Sequence, residues 1–85
     1  MIKEIDFDLE FKKDPANKDV CGLEVKDLRD TISLFERENI QPLGVVTRYN
    51  LILFENSEAR EKGWELLRKH NKPPMTSWRG TTNEM

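Results

Sequence analysis

Ile5-Asp6-Phe7-Asp8-Leu9-Glu10-Phe11 alternates apolar and acidic side chains without a break. Successive side chains of a β-strand point to opposite faces, so this period of two predicts a strand with its apolar residues on a core and its acids in water. Working outward, Val45 to Phe54 is a second β-rich run, flanked on both sides by segments with the period of amphipathic helices. Period two giving way to period 3.6, twice over, predicts one small α+β domain ordered β-α-β-β-α. Two helices would cover one face of an antiparallel sheet, with a fourth strand weak or absent. The pattern specifies an architecture and no chemistry.

A chain of 85 residues makes one domain that buries about 60–70% of its unfolded surface, so modest stability is expected and dimerisation would add to it. We place the domain at residues 1–74 and a flexible tail at 75–85. Charged residues at 35% and hydrophobic ones at 36% suit a soluble, cytoplasmic domain. No apolar run approaches the roughly 20 residues of a membrane helix. The start, Met1-Ile2-Lys3-Glu4-Ile5-Asp6, carries acids where a secretory signal has its apolar core. Cys21 is the single cysteine, which excludes an internal disulfide or a zinc site of several thiolates, and it reads as a small hydrophobe.

Charge is uneven. Residues 1–40 hold seven Lys/Arg against eleven Asp/Glu, whereas residues 56–85 hold six against four. A dominant nucleic-acid surface announces itself with a strongly basic domain, so the gradient favours protein contacts.

Lys12 to Cys21 reads as a loop, because Asp14-Pro15, Asn17 and Asp19 are turn formers without a period. Asp14, Asn17 and Asp19 miss the alternate-position ligands and closing Glu of a calcium loop. A first helix is expected from about Leu23 to Asn39, with Val25, Leu28, Ile32 and Phe35 as its apolar stripe and Leu34 at the margin. The next run is one long strand or, with a turn at Arg48-Tyr49-Asn50, a hairpin; the hairpin is preferred because Asn suits a turn and one long strand would put Arg48 and Asn50 on the same face as Ile52 and Phe54. The second helix starts at Asn56 or Ser57, turns Ala59, Gly63, Leu66, Leu67 and His70 inward, and stops at Lys72-Pro73-Pro74. Gly63 costs about 1 kcal/mol in a helix interior and predicts a close approach to the sheet or to the first helix. Met75 to Trp78 is an edge strand or the start of the tail, and the last six residues are expected to be mobile.

This order resembles the ferredoxin-like α/β plait. RNA-recognition modules carry a basic-Gly-aromatic-small-aromatic-aliphatic-x-aromatic signature on the third strand, over which Thr47 to Phe54 lies. Tyr49, Ile52 and Phe54 fit it. Thr47 stands at the basic position, Leu51 at a stacking aromatic, and Asp6 follows Ile5 where the first strand would need an aromatic, so stacking chemistry is not carried over. ACT-type regulatory modules open their first helix with an acid-x-x-Gly turn, which Asp19-Val20-Cys21-Gly22 resembles. That likeness spans roughly residues 19–71 and implies a dimerising, ligand-sensing module without catalysis.

Two surfaces are candidates for binding. Asp6, Asp8 and Glu10 would form an acidic row, roughly 6.6–7 Å between neighbours. Tyr49, Leu51 and Leu53 would share the open sheet face with it if Ile52 and Phe54 face the helices, making a contact patch for a protein or a second copy. The competing readings are a solvated strand face for the acids and a register slip or bulge that buries Tyr49, Leu51 and Leu53 instead. Arg60, Arg68, Lys69, Lys72, Trp78 and Arg79 are the alternative, a basic-aromatic surface for a single nucleic-acid strand, weakened by Glu58, Glu61 and Glu65. His70 has no carboxylate partner nearby, no serine lies in a nucleophile elbow, and there is no glycine-rich phosphate loop. The expectation is therefore a non-enzymatic regulatory module without cofactor or metal, of a size and charge that suit an inhibitor or regulator from a mobile element. An ACT-like small-ligand sensor stays open beside it.

Overall fold

The computed structural model describes residues 2–79. The strand expected over residues 5–11 does not form, because Asp8 starts a helix within it. Glu4 makes a parallel bridge with Val45, after which the Asp8 carboxylate accepts the Phe11 N–H at 3.0 Å and caps a five-residue helix, α1 (Leu9–Lys13). A capping aspartate satisfies a backbone donor at the start of a helix, and the same alternating letters supply both the cap and the aromatic pair around it. The Phe7 and Phe11 rings meet edge to face at 5.6 Å, and the Lys12 ammonium lies 5.0 Å above the Phe7 ring. Leu9, expected in the core, is 64% exposed.

The expected first helix is divided. Cys21–Glu24 is strand β1 and only Leu28–Arg37 is helix, α2. The run Val20-Cys21-Gly22-Leu23 is buried throughout. A strand covered on both faces shows a continuous apolar run and not an alternation, so periodicity alone does not separate it from a helix. The Asp27 carboxylate caps α2 by accepting the Asp30 N–H at 3.1 Å. The buried Thr31 hydroxyl donates to the Asp27 carbonyl at 2.8 Å.

The hairpin forms as read. β2 (Gly44–Val46) and β3 (Leu51–Phe54) are joined by a 3-10 turn over Thr47–Tyr49 and by Asn50 at φ 51°. Helix α3 (Ser57–Lys69) is capped by Asn56, whose side chain accepts the Ala59 N–H at 2.9 Å. Both long helices close on an asparagine in the left-handed region, Asn39 and Asn71, each at φ 62°. The amide after each returns to the helix, Ile40 to the Phe35 carbonyl at 2.9 Å and Lys72 to the Leu67 carbonyl at 2.8 Å. His70, expected inward, is exposed as the cap residue of α3. Within the segment read as edge strand or tail, Thr76–Arg79 is strand β4. The expected mobility of residues 80–85 lies outside the described residues.

The result is a small α+β fold with a four-stranded antiparallel sheet in the order β2-β3-β1-β4. β1 and β2 run parallel with β3 between them, and β3 and β4 run parallel with β1 between them. On one face, Leu34 and Phe35 of α2 and Leu67 of α3 pack on Leu23, Val45, Ile52 and Phe54. A Cβ on Gly63 would stand 2.8 Å from Phe54 Cζ and 3.3 Å from Phe35 Cζ, so the expected close approach is to both layers.

The second face is not bare. Ile5, Phe7 and Val20 join Val46, Leu51 and Leu53 in a second core, flanked by Phe11 and Leu43. The single core expected between sheet and helices is thus two cores on opposite faces. The N-terminal arm, residues 2–13, supplies Ile5 and Phe7 to this second core, each worth roughly 1.5–3 kcal/mol on burial.

Candidate protein-contact groove

Strand parity sets the two faces of β3 as the sequence indicated. Ile52 and Phe54 turn to the helices, Leu51 and Leu53 away. The arm then removes both leucines from solvent, leaving Leu51 7% and Leu53 0% exposed. Of the predicted apolar patch Tyr49 alone stays accessible, at 49%. Asp6, Asp8 and Glu10 are exposed but form no strand-face row, because Asp8 caps α1 and Glu10 lies within it.

The arm is fastened at the outer edge of β2. The Ile5 N–H donates to the Val45 carbonyl at 2.7 Å, and the Val45 N–H donates to the Lys3 carbonyl at 2.9 Å. Between them, Glu4 accepts the Thr47 N–H at 2.9 Å on Oε2 and the Thr47 hydroxyl on Oε1. The hydroxyl bond first, and the amide bond after it, hold the Glu4 carboxyl below its ordinary 4.5. Gly44 leaves room for Ile5, since a Cβ there would lie 2.4 Å from Ile5 Cδ1.

Where the arm ends its crossing, a groove remains between the hairpin turn and the start of β4. Phe7, Glu24, Tyr49, Leu51, Met75 and Thr76 are among its lining. The Met75 N–H donates to the Glu24 carbonyl at 2.7 Å, and the Thr76 hydroxyl donates to Glu24 Oε1 at 3.1 Å. These bonds fix one wall. The other is Tyr49, whose ring stands 6.5 Å from Phe7 and carries the Arg48 guanidinium at 4.9 Å. Leu9, Tyr49 and Met75 are the exposed large hydrophobics among the described residues, and two of the three face this groove. Met75, Glu24 and Phe7 were not read as site residues. Met75 and Glu24 meet only through the β1–β4 pairing, for which neither stretch carries a local signal.

Two of the predicted basic residues are paired within the fold. Arg60 is 9% exposed, with Nη2 3.1 Å from Glu61 Oε2. Lys72 pairs with Asp30 of α2. Arg68 and Lys69 are exposed in the last turn of α3, beside Glu38 and Glu65. Trp78 and Arg79 lie on β4, opposite Gly22 and Cys21 in register. Cys21 is buried, its thiol 3.5 Å from the Asp19 carbonyl. Among the described residues no three His, Cys, Asp or Glu side chains gather as a metal site requires, and no helix is long and apolar enough to cross a membrane.

No protein-family model, curated protein or solved structure matches the chain.

Proposed function

We propose that this chain is a non-catalytic contact module on a ferredoxin-like scaffold, binding a protein partner through the groove between Tyr49 and Met75. The scaffold reading draws on the two interleaved β-α-β units and the strand order. The observation that carries the binding reading is the pairing of two exposed large hydrophobics across an apolar floor, Phe7 and Leu51. Such neighbours in water mark a contact surface. An aromatic ring and a flexible thioether also adapt to an incoming side chain. Residues 4–10 add four acids and no base beside Phe7, so the partner expected is a protein segment with an apolar anchor flanked by Lys or Arg. The nucleic-acid reading has less in its favour, since Arg60 and Lys72 are engaged within the fold.

The test is capture of a partner from the native cell, followed by a titration with that partner purified. The Tyr49→Ala/Met75→Ala double variant should keep its melting transition and bind roughly 30-fold more weakly, as removal of a central anchor pair does. Unchanged affinity would remove the groove from consideration. Light scattering on the same pair of proteins separates a second copy from a different partner.

A further inference from the structure

The seat beneath the N-terminal arm has the features of a peptide-recognition site. The outer edge of β2 offers the Val45 carbonyl and N–H to an extended backbone. Thr47 offers an N–H and a hydroxyl to one carboxylate. Gly44 clears the space that Ile5 fills, since a Cβ there would also stand 2.9 Å from the Lys3 carbonyl oxygen. Tyr49 meets the Phe7 ring edge to face. Backbone pairing at a strand edge, with pockets for alternate side chains, is how strand-adding segments are recognised. The segment that satisfies this seat has the pattern acid-aliphatic-x-aromatic, here Glu4-Ile5-Asp6-Phe7.

Attachment of the arm is shallow compared with the helix-side core. Ile5 and Phe7 keep 8% exposure each and Leu51 beneath them 7%, whereas Leu23, Phe35, Ile52 and Leu67 keep 0%. The linker from Asp14 to Asp19 is exposed at every residue but Asn17. Segments with few buried contacts open without global unfolding, and an arm on an exposed linker meets the same seat on another copy at little cost.

We propose that this seat is a receptor for residues 4–7, filled by the chain's own arm and open, when that arm lifts, to the same segment of a second copy. The seat shares Phe7 and Tyr49 with the groove but not Met75, and the inference does not require the groove to bind a partner.

A fluorescein-labelled peptide of residues 1–13 is the probe. The full-length Ile5→Asp variant, whose own arm seats poorly, should bind it at least about tenfold more tightly than the parent, because the parent offers only its arm-open fraction. A peptide carrying the same Ile5→Asp change should not bind. A folded variant that ignores the probe, or takes both peptides equally, overturns the proposal. Should the variant not fold, amide exchange in the parent decides. Ile5, Val45 and Thr47 amides should exchange at least about tenfold faster than Leu23 and Ile52, and equal protection would mean that the arm leaves only when the whole domain unfolds. Met75→Ala should leave the peptide titration unchanged, so seat and groove fail separately.

Discussion

Glu4 meets Thr47 across 43 residues of sequence, through both its carboxylate oxygens. Nothing near Glu4 announces this bond, and in the alternating pattern it reads as one more solvated acid. Its folded pKa lies below the ordinary 4.5, which fixes the sign of its contribution. A lowered carboxyl stabilises the docked arm fully above the unfolded value, and that contribution is lost as pH falls through the lower folded one. The Thr47 amide resonance should therefore titrate with a midpoint below 4.5, and Glu4→Gln should abolish that titration. A midpoint at or above the ordinary value would mean the latch is not formed in solution. Asp8 teaches the complementary lesson at this scale. One residue with a capping side chain outweighs a period-two pattern on either side of it, because the cap satisfies a backbone donor at once.

At the scale of the element, the helices and the hairpin were legible wherever their signals were local. Asn56 starts α3, Asn39 and Asn71 end the long helices, and Asn50 turns the hairpin, each through a short polar side chain that caps or tolerates positive φ. Gly63 tests whether packing overrides propensity. Ala would gain about 1 kcal/mol as a helix former. Its methyl would, however, stand 2.8 Å from a ring atom of Phe54 and 3.3 Å from Phe35. These rings are themselves locked edge to face at 6.0 Å, so they have little room to give. Overpacking of this kind costs about 1–3 kcal/mol, and Gly63→Ala should lower the urea midpoint despite its better propensity. A raised midpoint would show that the rings yield. What the local signals could not separate was β1 from α2, because a strand buried on both faces shows no period.

The whole molecule is a sheet covered on both sides, by α2 and α3 on one and by the arm on the other. With a bare second face, Leu51→Lys/Leu53→Lys would be a surface change that leaves the fold intact. With the arm in place it sets two ammonium groups where exposure is 7% and 0%. Each buried, unpaired charge costs several kcal/mol, against a total stability of about 5–15 kcal/mol for a domain. The double variant should release the arm, lowering the urea midpoint followed by circular dichroism and deprotecting the Ile5 and Val45 amides. An unchanged midpoint with those amides still protected would mean the arm does not cover the face. The α+β class, a preference for the hairpin over one long strand, α3 and the opposed parities of Leu51/Leu53 and Ile52/Phe54 were legible in the chain alone, since each rests on neighbours within a few residues. Long-range packing made Cys21–Glu24 the strand between β3 and β4, laid Ile5 and Phe7 over the second face, and set Met75 across a groove from Tyr49. Those outcomes come from pairings between distant stretches, where the free energy belongs to surfaces buried together and neither stretch carries the signal alone.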